Sequence, residues 1–239
     1  MSITVKCPHC NNLFGIADDV AEEVLNPNIA ITRRTTERAS WSSIAEEING
    51  GYAYRVISVG DEISFKLKNG EDCSIVAVHE NPYWKNSMAF SFVNCIGEYY
   101  MNDTSTNRGG WYSSKMRCHM GEIIKLLPDE LVAVIKDRTI TQILNGTKYE
   151  SVDKLWLQSR TEVFGYNESY RDIDFGDVHF DYYHNEKSRV KMLNNSTAYW
   201  WERSPYYDSS NSFCSVHSNG GAYNTNAQYA YGVAPAFII

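Results

Sequence analysis

The sequence predicts an α+β domain with a small N-terminal appendage. Three observations carry this: a two-residue hydrophobic period that sets in after Tyr52, an amphipathic helix closed by Pro128, and a cysteine knuckle followed by polar helical sequence before residue 50. The 239 residues suffice for one large domain and an appendage, and a hydrophobic content of 43% is enough to build a core.

In chain order, Cys7-Pro8-His9-Cys10 is a CxxC knuckle, half of what a four-ligand structural zinc site needs. Further ligands would have to come from His9, from Cys118-His119 or from another subunit; the alternative is a half ribbon that holds no metal. Cys7 and Cys10 are thus the candidate metal ligands, and the sequence calls for no other cofactor. Residues 17–49 read as polar helix. Val20, Val24 and Leu25 share one apolar face, and Trp41, Ile44, Ala45 and Ile48 share another before Asn49-Gly50-Gly51 stops the run. This knuckle and helical arm make the first region, residues 1–50.

The second region, residues 51–239, opens with Ile63, Phe65 and Leu67 alternating with polar residues, then Asn69-Gly70, then Cys73, Ile75 and Ala77 alternating again. Asn-Gly between two such runs predicts an antiparallel hairpin. Ser113–Leu127 is an amphipathic helix, with Met116, Met120, Ile123, Ile124 and Leu127 on one face. Leu131, Val132, Val134 and Ile135 form a short apolar element, and Lys154-Leu155-Trp156-Leu157 reads as a buried strand. From Tyr166 to Lys191 the chain is polar, aromatic and without period, as expected of a long loop.

Several function classes are disfavoured. A net charge of -7 without a basic run argues against nucleic acid as a partner. No apolar stretch has the length of a signal peptide core or a membrane span. Four of the six cysteines stand singly, which does not resemble a secreted disulfide framework. The expectation is synthesis in the cytoplasm, with delivery to a virion or cell surface by a route that needs no signal peptide. Gly-rich phosphate loops, G-x-S-x-G elbows and H-E-x-x-H helices are absent. Asp177, His179, Asp181 and His184 form an acidic, histidine-containing patch that would suit a divalent metal or acid–base chemistry; the ordinary reading is an exposed loop.

Five phrases occur in a fixed order: Val59-Gly60-Asp61; Gly109-Gly110-Trp111 through Met116-Arg117; Asp153-Lys154-Leu155-Trp156-Leu157; Trp200-Trp201-Glu202-Arg203-Ser204-Pro205; and Gly232-Val233-Ala234-Pro235-Ala236-Phe237. As an ordered set they resemble a family of proteins from gut bacteria and their phages, with the pattern GGW-x-x-S-x-M-R, D-K-L-(F/W)-L, W-W-L-R-S-P and G-V-x-P-A-F. The resemblance covers residues 59–239. It implies a C-type-lectin-like fold, distantly similar to that of the formylglycine-generating enzyme. Trp200, Trp201 and Phe237 would then fill the core, Arg203 would be a buried structural arginine, and Gly232 would allow a turn. Glu202 replaces an aliphatic residue of the pattern, and is expected to face solvent or a partner. Catalysis does not carry over, because those enzymes use a pair of nearby cysteines and the C-terminal part has only Cys214, expected as a buried thiol. The Glu-Pro-Asn and Trp-Asn-Asp phrases of calcium-dependent sugar binders are also missing.

Residues 206–231 carry the functional expectation, within a variable segment placed at about 199–239. Of these 26 residues, five are Tyr, five Ser and four Asn, with no Lys, Arg, Glu, Leu, Ile or Met. Antibody recognition loops use the same alphabet: Tyr gives rigid amphipathic contact at low entropy cost, and Ser and Asn give adaptable hydrogen bonds. The bias also resembles that of variable proteins of diversity-generating retroelements, where adenines in Asn codons are randomised at the C-terminal end of a C-type-lectin-like frame. The candidate ligand-binding residues are Tyr206, Tyr207, Asp208, Ser210, Asn211, His217, Asn219, Tyr223, Asn224, Asn226, Tyr229 and Tyr231. They are expected side by side on one exposed face, with Phe213 and Val216 pointing inward and Gln228 fixed. The expected partner is a protein or cell-surface ligand bound without catalysis. The alternative is a fixed-sequence structural, small-molecule or metal-binding protein of the same fold, using the His179/His184 region.

Overall fold

The computed structural model describes residues 40–239 together with two strands, β1 (Ile3–Lys6) and β2 (Leu13–Ile16). The chain divides into two compact units, residues 1–38 and 39–239. In the first, β1 and β2 pair antiparallel, Ile3 opposite Ile16 and Lys6 opposite Leu13. Cys7, Cys10 and the helical stretch expected over 17–39 lie outside the described residues.

The second unit is mixed α and β, with sheets dominating. It begins with α1 (Trp41–Asn49), where the Ser40 hydroxyl accepts the Ser43 amide and satisfies one of the free donors of the first turn. The expected i, i+3, i+4, i+7 stripe is the face that packs: Ile44, Ala45 and Ile48 are buried. This helix, read from sequence as part of the N-terminal arm, belongs to the unit formed by residues 39–239.

A four-stranded antiparallel sheet follows, in the order β15-β5-β4-β3, from β3 (Glu62–Lys66), β4 (Asp72–Glu80), β5 (Met88–Phe92) and the C-terminal β15 (Ala236–Ile238). The Asn69-Gly70 hairpin is present: Lys66 opposes Asp72, and Gly70 has the positive φ (90°) that its turn requires. In β4 the alternation gives way to burial on both faces, from Ile75 through Val78. Phe237 of β15 stacks on Phe90 of β5 at 5.5 Å.

The expected helix over 113–127 is present as α3 (Lys115–Ile123) and a tight turn over Ile124–Leu126, preceded by a separate short helix α2 (Gly110–Ser113). Ser114 sits extended between the helices, and its hydroxyl caps the Arg117 amide at 3.1 Å. A short helix α4 (Asp129–Val134) precedes a hairpin of β7 (Arg138–Leu144) and β8 (Thr147–Asp153), and the buried 154–157 segment makes a single bridge, Trp156 to Ala236. After α5 (Arg160–Phe164), the stretch over 166–191 is more than surface loop: it holds α6 (Glu186–Arg189) and buries Tyr170, Asp174, Phe180, Tyr183 and Lys191.

A short hairpin of β9 (Lys191–Leu193) and β10 (Ser196–Ala198) precedes most of the second sheet, which has the order β13-β12-β11-β14-β6, from β6 (Glu98–Tyr100), β11 (Trp200–Pro205), β12 (Ser212–Val216), β13 (Ala222–Asn226) and β14 (Ala230–Gly232). Its members are antiparallel except β11 and β14. Both sheets and the helices share one core. Among the described residues, no helix is long and apolar enough to cross a membrane.

Candidate functional site

Phrases far apart in sequence meet in one frame. Gly109 and Gly110 both have positive φ, and a Cβ on Gly110 would stand 2.3 Å from Gln142 Oε1 and 3.2 Å from Pro205 Cγ. That close approach lets the Trp111 amide donate to Gln142 Oε1 at 2.7 Å. Trp111 Nε1 and Arg117 Nε then both donate to Asp153, at 2.9 and 2.7 Å. Trp156 exchanges backbone hydrogen bonds with Ala236, and Arg203 donates to the Leu157 carbonyl at 2.9 Å.

A buried ring of charges fastens this frame. Arg138 donates to Glu162 Oε1 (2.6 Å) and Asp177 Oδ1 (2.5 Å); Arg203 donates to Glu162 Oε2 (2.6 Å) and to Asp177 Oδ2. All four side chains are at most 3% exposed, and burial pushes the Asp177 carboxyl up to about 7 against the pull of the two guanidiniums. Burial would raise the Glu162 carboxyl, but the two guanidiniums and a hydrogen bond from Tyr83 more than offset it and hold the group at about 2. Arg203 is therefore the structural arginine expected. Asp177 is consumed by the ring, so the acidic patch with His179, Asp181 and His184 is not one site. His179 and His184 are exposed, and Asp181 lies 3.1 Å from His79.

Three expectations about single residues meet different outcomes. Glu202 does not face solvent: it is fully buried, with Oε2 2.9 Å from Arg160 Nη2. Burial raises its carboxyl to about 7 in spite of that neighbour. Gly232 allows close packing rather than a turn, since a Cβ there would meet Cys95 Sγ at 2.4 Å and the Tyr199 carbonyl at 2.9 Å. Cys214 is the buried thiol expected, 3.1 Å from the Tyr170 hydroxyl and pushed by burial up to about 12.

The candidate ligand-binding residues occupy the rim of the second sheet. Tyr207, Tyr223 and Tyr229 are 55%, 45% and 60% exposed, whereas Phe213 and Val216 are 0% exposed. Asp208, Ser210, Asn211 and Asn219 are exposed too, and Tyr206, His217, Asn224, Asn226 and Tyr231 are half-buried. β13 is an edge strand, and its side chains alternate between the faces of the sheet. Tyr223 joins an aromatic cluster on one face, with Tyr199 at 5.5 Å and His217 at 5.8 Å. Tyr199 touches Tyr231 at 5.1 Å, and Tyr231 lies against Trp201 and opposite Tyr99. His217 Nδ1 accepts the Asn219 amide, so Nε2 carries the proton and donates to the Tyr199 hydroxyl at 2.6 Å. Tyr223 and Asn224 both border a hollow of about 220 Å³ with Tyr170, Tyr206 and Tyr207.

Residues outside the segment hold it in place. Asn107 Nδ2 donates to the carbonyls of Ser209 (2.6 Å) and Ser212 (2.9 Å). Asn226 Nδ2 reaches Ser105 Oγ at 2.5 Å, and Gln228 Nε2 reaches the Asp103 carbonyl at 2.8 Å. Arg160 Nη2 donates to the Tyr223 carbonyl at 2.5 Å. Tyr99, stacked on His119 at 4.0 Å and on Tyr100 at 4.4 Å, extends the aromatic face. Sequence reasoning missed β6 and the loop over 101–108 that follows it; the adjacent Tyr99-Tyr100 pair and Gly109 were the visible signals.

Residues 69–239 match the model of a family described as a domain of unknown function, DUF6273. The match spans well over half of the chain, from the first hairpin turn to the last residue, and the chain belongs to that family. No curated protein and no solved structure matches it.

Proposed function

We propose that this member of the DUF6273 family is a non-catalytic ligand-binding or receptor-recognition protein that displays a hypervariable C-terminal surface on a C-type-lectin-like frame. One observation carries the reading: within residues 206–231, the Tyr, Asn, Asp and His side chains lie at the rim, while Phe213, Cys214 and Val216 between them are fully buried. A surface that tolerates wide substitution needs a core that does not change. Three half-exposed tyrosines and their ring partners also supply what protein-binding hot spots use, rigid aromatic area beside hydrogen-bonding groups.

Catalysis is not favoured. Cys214 stands without a second cysteine in the C-terminal part, and a buried thiol held near 12 offers little thiolate to attack a substrate. A metal-dependent role for the Asp177–His184 region is weakened by the two arginines that occupy Asp177. The ligand is a protein or cell-surface molecule, and a retroelement is the proposed source of diversity. Sequencing the gene and its flanking DNA in independent isolates tests this. The expected result is a reverse transcriptase gene, a near-identical repeat of the 206–231 coding stretch, and substitutions at Tyr207, Tyr223 and Tyr229 but not at Phe213 or Val216. Substitutions spread evenly over the domain, with no repeat, would overturn the reading.

A further inference from the structure

A groove of about 760 Å³ runs between two walls of different origin. One wall belongs to the frame: the loop over 105–109 and the tip of the β7–β8 hairpin, with Ile143 and Leu144. The other is Pro205 to Ser210, where the Tyr/Ser/Asn segment begins. Ile173 adds a third aliphatic side chain to the lining. Sites for small molecules span ~300–1,000 Å³, and the groove's volume falls within that range. The walls are joined, because Asn107 bonds the Ser209 and Ser212 carbonyls through its side chain and the Ser210 carbonyl through its amide. The groove is therefore preformed, which lowers the entropy cost of filling it.

Arg108 stands in this lining, exposed. Its amide donates to Thr106 Oγ1, but among the described residues its guanidinium has no hydrogen-bond, ion-pair or ring partner. Nearby cations are occupied: Lys115 pairs with Asp103, and Arg117 with Asp153. The only carboxylate in the lining is Asp208, on the wall proposed to vary. The frame's constant contribution is thus one free fork of donors next to an aliphatic floor. A guanidinium takes a carboxylate through two parallel hydrogen bonds, and Ile143, Leu144 and Ile173 call for an apolar side chain beside it.

We propose that this groove receives an extended peptide segment in which an acidic side chain, held by Arg108, neighbours an apolar one seated on Ile143, Leu144 and Ile173. A peptide fits better than an acidic sugar, which would leave the aliphatic floor uncovered. The inference rests on the recognition reading and adds its ligand chemistry: the frame wall offers the same anchor whatever Tyr206, Tyr207, Asp208 and Ser210 become, and those residues choose among acidic segments.

The test is selection of a random heptapeptide library on the full chain, and on Arg108→Glu. The wild type is expected to enrich peptides with Asp or Glu next to Leu, Ile, Val or Phe, and Arg108→Glu to lose that set. A synthetic enriched peptide should bind Arg108→Gln at least tenfold more weakly by fluorescence polarisation. Arg108 is exposed, so both variants should keep the wild-type melting temperature. No enrichment, enrichment without acidic residues, unchanged binding to Arg108→Gln, or selective binding of uronic-acid glycans instead would each overturn the proposal. Such a failure leaves recognition through Tyr199, Tyr223 and Tyr231 standing, because none of those residues lines the groove; the recognition reading itself falls with the gene-sequencing result.

Discussion

Trp200–Pro205 and Tyr206–Tyr231 are neighbours in the chain and differ in almost every physical respect. In the first, every side chain is buried, and the charges of Glu202 and Arg203 are met by Arg160, Glu162 and Asp177 from other segments. In the second, the tyrosines are exposed or half-buried, and most of their ring contacts are with one another or with Tyr199, His217 and Tyr170. Groups in the first region each depend on a particular partner, so a change at one strands another. Groups in the second are held partly by backbone ties from Asn107 and Arg160, which accept any side chain at the tied position, and partly by the Asn226 and Gln228 side chains. Stability and the proposed recognition surface are thereby separated within about thirty residues.

The largest effect that would sharpen this contrast is Arg203→Ala. Removing one member of a buried charge ring leaves Glu162 and Asp177 short of a cation, and costs about 3–5 kcal/mol. Urea unfolding should show that loss; a loss below about 1 kcal/mol would mean that the ring is not what holds the frame. Gly232→Ala comes next. With Cys95 Sγ only 2.4 Å from the new methyl group, overpacking should cost about 1–3 kcal/mol. Cys95→Ala in the same chain should recover part of it, and no recovery would place the strain at the Tyr199 carbonyl instead.

A third prediction concerns pH. Glu202 is raised in the fold from its ordinary 4.5 to about 7 by burial, so the folded state holds its proton more tightly than the unfolded chain does. Its contribution to stability is complete below pH 4.5 and is lost as pH rises through about 7, with a slope of at most ~1.4 kcal/mol per pH unit. Glu202→Gln should lack that decline. The difference between the two unfolding curves isolates it from Glu162, whose lowered value acts in the opposite direction at more acid pH. Parallel curves between pH 4.5 and 7 would show that Arg160 keeps Glu202 ionised.

The parts of the molecule legible in sequence were those set by local chemistry. Asn69-Gly70 fixed a hairpin, the apolar spacing in 41–48 fixed a helix, and the alphabet of 206–231 pointed to a surface. What stayed hidden depends on contacts distant in sequence. Nothing local says that Glu202 meets Arg160 or that Asp177 meets Arg138 and Arg203, so one was read as solvent-facing and the other as part of a histidine patch.

The most direct test of the separation is the smallest predicted effect. Tyr207, Tyr223 and Tyr229 replaced together by Ser should change the free energy of unfolding by no more than about 1.5 kcal/mol, since exposed substitutions cost within ~0.5 kcal/mol each. Measured by urea titration beside Arg203→Ala, the triple variant should be the more stable protein by a clear margin. A triple variant as destabilised as Arg203→Ala would contradict the account, because it would make the tyrosines of the rim part of the frame.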